Sequence, residues 1–349
     1  MDMLHLLSEL PKVDLHVHLD GCIKPATLMR LAEQQGLSLP STNTIDLIPY
    51  VQVSEECTNL SEYLTKFDFV LPFLQTKEAL EQVAYEVVEQ AADHHIKYIE
   101  VRFAPQLHRN SDMNAEETIS YVIQGLRRGE QDFGIKARVI AICMRNHSLK
   151  ANLEVIEAAS RYIGRGLVAV DLAGDEFSFP AFLFREVFAL ASTYGIPITI
   201  HAGEAAGPDN IEEAVLNLGA ARIGHGVRLK ENSRVMQMIR DQRIPLELCP
   251  TSNIQTKAVS GWDAYPIREY FDQGILFTVN TDNPGVSGTN ITKEYQVITE
   301  KFGFTIREIT TLILNGVEAS FLGAEEKASL KRDFEEILIR LGVYDKVEN

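Results

Sequence analysis

Eight short apolar segments, most of them rich in β-branched residues, recur along this chain with helical patterns between them. Between the segments, apolar residues recur near i, i+3 and i+4, which is the spacing of an amphipathic helix. Strands that alternate with helices form a parallel sheet, and eight strands close a (β/α)8 barrel. The predicted strands are 13–19, 97–104, 136–144, 168–173, 198–203, 221–225, 245–250 and 275–281. The predicted helices between them include 77–94, 114–130, 149–162, 181–194 and 209–217.

Polar residues stand at the downstream ends of several predicted strands. A barrel carries its chemistry on that face. We therefore predict an α/β protein with a (β/α)8 TIM barrel, and an open doubly wound sheet is the competing topology.

Two regions depart from the regular alternation. The first crossover, residues 20–96, is far longer than one helix requires, and residues 43–75 within it are predicted to be a helical insertion after the first strand. Residues 290–343 are predicted to form additional C-terminal helices. No repeat, low-complexity tract or Gly/Ser linker divides the chain, so we expect a single domain over residues 1–349. The apolar residues of the insertion include Leu60, Tyr63, Leu64, Phe67, Phe69 and Val70.

Composition excludes several classes of protein. The formal net charge is −16, whereas nucleic-acid binding normally needs a basic stripe, so we expect no nucleic-acid partner. No apolar run approaches the roughly 18 residues of a membrane span, and the first residues lack the features of a signal peptide. The cysteines form no C-x-x-C pair, which argues against a zinc finger and fits a cytoplasmic protein. They are Cys22, Cys57, Cys143 and Cys249.

The strongest chemical signal is the pair His16 and His18 in the first predicted strand. Side chains at i and i+2 of a strand point to the same face, so the two imidazoles form a two-nitrogen metal clamp. His201 lies at the end of a further strand, and Asp282 follows the last one. Neutral imidazoles buried without partners would leave polar nitrogens unsatisfied. The pattern therefore predicts a metal-dependent hydrolase site at the strand ends.

Glu204 and His225 add acid–base groups to the same edge of the predicted sheet. Each residue also has a simpler interpretation: Glu204 complements a helix dipole, His225 is a hydrogen-bonded loop imidazole, and Asp282 is a helix N-cap. Several strand ends carrying such groups favour one shared site over a series of coincidences. The remaining histidines are expected at the surface or at helix ends: His5, His94, His95, His108 and His147.

Other catalytic motifs are absent from the sequence. There is no G-x-x-x-x-G-K-[ST] loop to hold nucleotide phosphates and no G-x-S-x-G nucleophile elbow. The H-E-x-x-H metalloprotease motif and the H-x-E…P-C-x-x-C motif of cytidine-type zinc deaminases are also missing.

Taken together, the motifs closely resemble the adenosine deaminase family. H-x-H alone would suit many hydrolases of the amidohydrolase type, but the combination is specific and extends over nearly the whole chain. The resemblance implies hydrolytic deamination of adenosine and 2′-deoxyadenosine to inosine, or 2′-deoxyinosine, and ammonia in purine salvage. The matching stretches, in order, are 12–21, 171–176, 201–204, 224–226, 249–252 and 280–282.

The resemblance also implies one Zn²⁺, with His16, His18, His201 and Asp282 as its ligands and a water in the remaining position. Zinc lowers the pKa of bound water to about 7. Glu204 is then expected to protonate purine N1 as general acid while water adds to C6. His225 and Asp282 are expected to orient the attacking group.

For the substrate, the resemblance implies a backbone contact from Gly174 to the purine, which the absence of a side chain permits. Asp20 is expected to receive the ribose 5′-hydroxyl, with His18 near the substrate. The insertion around Tyr63, Leu64 and Phe67 resembles the family's helical lid. An ordinary amphipathic core helix explains the same residues equally well.

Asn283 departs from the family pattern, in which many members carry Asp at this place to contact purine N7. An Asn amide donates to N7 without needing a proton, so we expect binding to survive.

Three alternatives stay open at this point. Asp20 argues against an adenine deaminase, because relatives that act on the free base tend to carry Glu there. A deaminase of N6-substituted adenine nucleotides would need a basic phosphate pocket, and the sequence identifies none. A catalytically silent member that acts as a binding module would usually lose a ligand or the acid, and all of these residues are present. The oligomeric state is left open.

Overall fold

The computed structural model describes residues 3–54, 57, 60–109 and 113–345. Eight parallel strands form two four-stranded sheets, in the orders β1-β2-β3-β4 and β5-β6-β7-β8. The strands of the first sheet are Lys12–His18 (β1), Ile96–Phe103 (β2), Lys136–Met144 (β3) and Leu167–Ala173 (β4). Those of the second are Thr199–Ala202 (β5), Arg222–His225 (β6), Leu246–Leu248 (β7) and Phe277–Val279 (β8).

Parallel bridges join the two sheets at both of their edges. Val170 pairs with Ile198 at the β4–β5 seam, and Val17 pairs with Asp282 at the β8–β1 seam. At the second seam the His18 N–H donates to the Asp282 carbonyl at 2.8 Å. The eight-stranded α/β barrel predicted from the sequence is therefore confirmed.

Helices separate the strands along the chain. The α-helices are α1 Met3–Glu9, α2 Pro25–Gln35, α3 Thr44–Val51, α4 Leu60–Val70, α5 Lys77–Asp93, α6 Ala115–Phe133, α7 Leu149–Ser160, α8 Arg185–Thr193, α9 Pro208–Leu216, α10 Ser233–Asp241, α11 Pro250–Gln255, α12 Ile267–Asp272, α13 Pro284–Ser287, α14 Ile291–Phe302, α15 Ile306–Ala319 and α16 Ala324–Arg340. Short 3₁₀ helices occupy Asp20–Cys22, Leu71–Phe73, Pro105–Leu107, Ala181–Phe184, Leu229–Glu231 and Trp262–Ala264.

Local sequence explains where several helices begin. The Asn114 side chain accepts from the Glu117 N–H, and the Glu117 carboxylate accepts from the Asn114 N–H, so a capping box starts α6. Thr305 and Glu308 start α15 in the same way. The helices predicted in the central part of the chain and after the last strand are confirmed. Among the described residues, no helix combines the length and apolar character needed to cross a membrane.

The predicted insertion forms α3 and α4 with the 3₁₀ turn that follows them. Tyr63 of α4 is 2 % exposed and packs with Val53, Cys57 and Val286 in a small cluster separate from the main core. Its hydroxyl lies 2.8 Å from the Ser287 hydroxyl at the end of α13. The insertion is therefore docked on the segment that follows β8, next to the strand ends.

Candidate functional site

Four histidine rings meet at the carboxyl ends of the strands. The ring centre of His16 lies 4.6 Å from that of His201, 4.7 Å from that of His225 and 5.4 Å from that of His18. The His201 and His225 centres are 5.0 Å apart. Parallel strands bring their ends together at one edge, which is how residues far apart in sequence become neighbours.

Asp282 completes this cluster from the β8–β1 seam. Its Oδ1 lies 3.4 Å from His16 Nε2 and 3.3 Å from His18 Nε2, and its Oδ2 accepts a 2.5 Å hydrogen bond from the Ser252 hydroxyl. Burial alone would raise the pKa of Asp282, but His16 and His18 hold it well below its usual value. The residue is ionised and available as a ligand. Its φ of 60° lies in the left-handed region, which is uncommon for a non-glycine residue.

The donor set fits a metal ion. His16 Nε2 is buried and has no hydrogen-bond partner among the described residues. Potential ligand atoms of His16, His201 and His225 lie within 4.8 Å of one another, and so do those of His16, Cys249 and Asp282. Burial lowers the pKa of both His18 and His201 to about 4, so their imidazoles are neutral, the form that binds metals.

Two of these imidazoles contact buried carboxylates through their Nδ1 atoms. His16 Nδ1 lies 2.8 Å from Glu247 Oε2, and His201 Nδ1 lies 2.9 Å from Asp171 Oδ2. A carboxylate on Nδ1 fixes the tautomer and leaves Nε2 free to bind a metal, as is typical of metal-ligating histidines. The predicted ligands therefore have the supporting contacts of a metal site.

Two buried arginines stabilise those carboxylates. Arg102 donates to Asp171 at 3.0 Å and to Glu247 at 2.8 Å, while Arg222 donates to Glu247 at 2.6 Å. Because of these arginines, the pKa of Glu247 stays well below its usual value even though burial would raise it. Arg222 also binds Glu100 at 2.6 Å. All of these side chains are almost completely buried inside the barrel.

This buried charge network was not predicted from the sequence, although Asp171 lies in one of the stretches that match the family. Its signal was present, because charged residues interrupt otherwise apolar strands, as in Ile99-Glu100-Val101-Arg102 and Leu246-Glu247-Leu248. Fully buried charges occur almost only in pairs or next to metals.

His225 and Glu204 face each other across the pocket. The Asn253 amide nitrogen lies 3.0 Å from His225 Nδ1 and can only donate, so His225 carries its proton on Nε2. That Nε2 lies 3.6 Å from Glu204 Oε2. The enclosed position of Glu204 raises the pKa of its carboxyl, although the nearby His225 lowers it. The pair thus places the Glu204 carboxyl beside the Nε2–H group of His225.

Asp20 lies in the 3₁₀ helix that follows β1 and is 9 % exposed. His108 Nε2 is 3.6 Å from Asp20 Oδ2. Burial alone would raise the pKa of Asp20, but contact with His108 holds it below its usual value. His108 caps the end of the 3₁₀ helix Pro105–Leu107, as one of the two expectations had it, but its side chain is completely buried, so a surface position was wrong. The chain folds back after β2 and carries His108 inward beneath Asp20.

Gly174 and Asn283 border the same face of the barrel. Gly174 follows β4 with a φ of 108°, a conformation that a residue with a side chain adopts only with strain. The Asn283 side chain is 5 % exposed, and its Oδ1 has no hydrogen-bond partner among the described residues. Both residues follow the carboxyl ends of their strands, Gly174 after β4 and Asn283 after β8.

Gly224 is a further requirement of the site that the sequence analysis did not assign. A Cβ at this position would lie 3.2 Å from His16 Cε1 and 3.2 Å from His201 Cα. At such distances the His16 ring or the His201 backbone would have to shift by a few tenths of an ångström. The glycine therefore permits their close approach.

A parallel barrel with histidines and carboxylates gathered at its strand ends is the architecture of a metal-dependent hydrolase. A family model described as Adenosine deaminase matches residues 11–337. The chain belongs to this adenosine deaminase family.

Curated relatives named adenosine deaminase are similar over nearly their full length. One from Clostridium botulinum (strain Okra) is 43 % identical over 331 residues, which cover 95 % of this chain and 98 % of the relative. Another from Enterococcus faecalis is 40 % identical over 330 residues, which cover 95 % and 97 %.

Solved structures share the fold. An adenine deaminase from Arthrobacter aurescens is 27 % identical with a TM-score of 0.86, and the match covers 94 % of this chain and 99 % of that one. The N6-methyl-AMP deaminase from Arabidopsis thaliana is 26 % identical with a TM-score of 0.83, and the match covers 95 % and 98 %.

Proposed function

We propose that this protein deaminates adenosine and 2′-deoxyadenosine by hydrolysis, giving inosine or 2′-deoxyinosine and ammonia, as a step of purine salvage. The observation that carries the proposal is the pairing of Glu204 with His225, 3.6 Å apart, beside the cluster of His16, His201 and Asp282. Relatives named adenosine deaminase at 40 % and 43 % identity support it.

The proposed metal is one Zn²⁺, held by His16, His18, His201 and Asp282. Nitrogen and carboxylate donors of this kind suit zinc. A bound zinc ion acts as a Lewis acid and lowers the pKa of water, so that a nucleophile is available near neutral pH.

Glu204 is proposed as the general acid. Addition of water at purine C6 breaks the aromaticity of the ring, so N1 must gain a proton as the new C–O bond forms. A partly enclosed carboxyl with a raised pKa is suited to donate that proton. Cleavage of the C6–N6 bond then releases ammonia and leaves a carbonyl at C6.

His225 and Asp282 are proposed to orient the attacking water. Asn253 fixes the His225 ring so that Nε2–H faces the pocket, and Ser252 fixes Asp282. Groups held in this way lose little freedom at the moment of reaction, which lowers the barrier.

The remaining residues are proposed to recognise the nucleoside. The Gly174 backbone contacts the purine, and the Asn283 amide donates to N7. Asp20, ionised beside His108, accepts from the ribose 5′-hydroxyl, and His18 lies near both substrate and metal.

Adenine deamination is the second candidate, since a solved relative of this fold carries that name. Asp20 favours the nucleoside, because a free base has no hydroxyl for this carboxylate to accept from.

A three-substrate assay tests the proposal. Purified protein is mixed in parallel with adenosine, adenine and AMP, and the fall in absorbance near the adenine maximum is followed. We expect rapid turnover of adenosine, with little of adenine or AMP, and about one zinc per chain by elemental analysis. Faster turnover of adenine or AMP contradicts the proposed substrate, and no turnover of any of the three supports a silent binding protein.

A further inference from the structure

The loop that carries Glu204 is bound by another glutamate. Glu176 follows β4 and is 3 % exposed. Its Oε1 accepts from the Gly203 N–H at 2.7 Å. Its Oε2 accepts from the next three N–H groups, those of Glu204, Ala205 and Ala206, at 3.1, 2.8 and 3.0 Å. One carboxylate thus binds every N–H of the segment 203–206.

This arrangement is stronger than an ordinary loop contact. Consecutive N–H groups that converge on one point form an anion-binding concavity, and hydrogen bonds to a charged acceptor are about twice as strong as neutral ones. The segment 203–206 precedes α9, and Gly203 turns the chain there with a φ of 69°. The hydrogen bonds of Glu176 therefore hold a sharp turn in one conformation.

The turn connects His201, a predicted metal ligand, with Glu204, the proposed general acid. His201 lies two residues before Gly203, and its carbonyl accepts from Arg145 at 2.7 Å. On the other side, the Ala205 carbonyl accepts from Arg228 at 2.9 Å. The N–H side of the turn is bound by Glu176, so the direction in which the Glu204 carboxyl points depends on that contact.

We propose that Glu176 is a positioning residue, which fixes the backbone of 203–206 so that the Glu204 carboxyl faces His225 and the substrate. The inference rests on the proposed role of Glu204 as general acid. Both Glu176 oxygens are occupied by backbone N–H groups, so Glu176 acts through Glu204 and does not itself touch the substrate.

The first test is Glu176→Gln. An amide has a single acceptor oxygen, so its NH2 group would oppose at least one backbone N–H whichever way it is oriented. A displacement of about 1 Å in a reacting group costs about 100-fold in rate. We expect kcat for adenosine to fall by about that factor while KM changes by less than about threefold, since the proposed binding contacts of Asp20 and Asn283 are untouched and the contact of Glu204 with N1 acts mainly in the transition state.

Asp175→Asn is the matched control. Asp175 precedes Glu176, is exposed, and accepts from the Ser178 N–H at 3.0 Å without touching the 203–206 segment. The kcat of Asp175→Asn is expected to stay within about twofold of the wild-type value, which corresponds to less than about 0.5 kcal/mol in activation free energy. Thermal melting and zinc content are measured for both variants, so that a loss of fold or metal is not mistaken for a loss of positioning.

A double-mutant cycle separates positioning from a merely structural role. If Glu176 acts through Glu204, then adding Glu176→Gln to Glu204→Gln costs less than about threefold more. A near-normal kcat in the single variant overturns the proposal, and so does a loss of about 100-fold that is repeated in the Glu204→Gln background.

Two further measurements decide the remaining cases. Amide hydrogen exchange at 203–206 is expected to be slow in wild type and faster in Glu176→Gln. Equal exchange contradicts the positioning role whatever the substrate proves to be.

If Glu176→Gln does not fold, Glu176→Asp is used instead, because it keeps the charge but shortens the side chain. This variant is expected to lower kcat, and to have no such effect in the Glu204→Gln background. An unchanged kcat overturns the proposal. Turnover by the wild-type protein tests the proposed function separately.

Discussion

The two sheets of the barrel differ in length and in what they contribute. The strands of the first sheet have 7, 8, 9 and 7 residues, whereas those of the second have 4, 4, 3 and 3. Both sheets carry charged groups into the barrel interior, Glu100 and Arg102 from the first and Arg222 and Glu247 from the second. Short strands end early, and their ends turn at positive φ, as at His225 and Asp282. The first sheet therefore supplies His16 and His18, whereas the strands of the second sheet and the turns after them supply His201, His225 and Asp282.

The predicted metal ligands lie where these two sheets meet. At the β8–β1 seam, His16 and His18 of the long sheet contact Asp282. At the β4–β5 seam, Asp171 of the long sheet holds His201 of the short one. Every predicted ligand thus depends on contacts across a seam, and mutations on either side should have separable effects.

The largest expected effect comes from Glu204→Gln, on the side of the short sheet. Loss of the proton donor should lower kcat by about 10²–10⁴-fold, the usual contribution of a general acid, with zinc content unchanged. Steady-state kinetics and elemental analysis measure both. Glu318→Gln, an exposed glutamate paired with Arg243, is the control and should behave as wild type. Near-normal rates in Glu204→Gln would remove this residue from the mechanism.

Asp171→Asn tests the support from the long sheet. Without the carboxylate on His201 Nδ1, metal affinity should fall by about 10–100-fold, as it does when such outer partners are removed. Competition with a chelator measures the affinity. Glu130→Gln, which removes the charge paired with Arg138 at 2.7 Å, should bind metal normally. Unchanged affinity in Asp171→Asn would show that the seam contact does not support the ligand.

Asp20→Ala tests substrate recognition next to β1. A hydrogen bond to a charged group contributes about 1.5–3 kcal/mol, so kcat/KM for adenosine should fall by about tenfold or more. Activity on 5′-deoxyadenosine, which lacks the hydroxyl, should change much less. An equal loss on both substrates would refute the proposed ribose contact.

The smallest effect is expected for Asn283→Asp. Either side chain can contact purine N7, but a carboxyl must be protonated to donate, so activity should persist with an altered KM. A pH series of KM for adenosine, compared between variant and wild type, measures this. Complete inactivation would show that the contact at residue 283 has a different role.

The sequence predicted the barrel because strand and helix patterns repeat locally. Strand ends were less accurate: 245–250 was predicted where the strand is Leu246–Leu248. Pro250 begins α11 there, so the chain leaves the sheet early even though the residues are apolar. Local apolar character predicts that a strand exists, but not how long it stays paired with its neighbours.

The candidate site was predicted in outline because its residues follow strands in a recognisable order. The supporting contacts could not be predicted, since they join residues far apart in sequence, such as His16 with Glu247. His108 shows the same limit: nothing in its neighbourhood along the chain indicates that it will be enclosed beneath Asp20.

Gly224 has only a hydrogen atom where other residues have a Cβ, which leaves room for His16 and His201 beside it. A methyl group there would lie 3.2 Å from His16 Cε1 and 3.2 Å from His201 Cα, so these neighbours would have to shift by a few tenths of an ångström. The spacing of His16 and His201 therefore depends in part on a residue that has no donor atom in its side chain. A substitution at position 224 would therefore change the surroundings of His16 and His201 without replacing any of the predicted ligands.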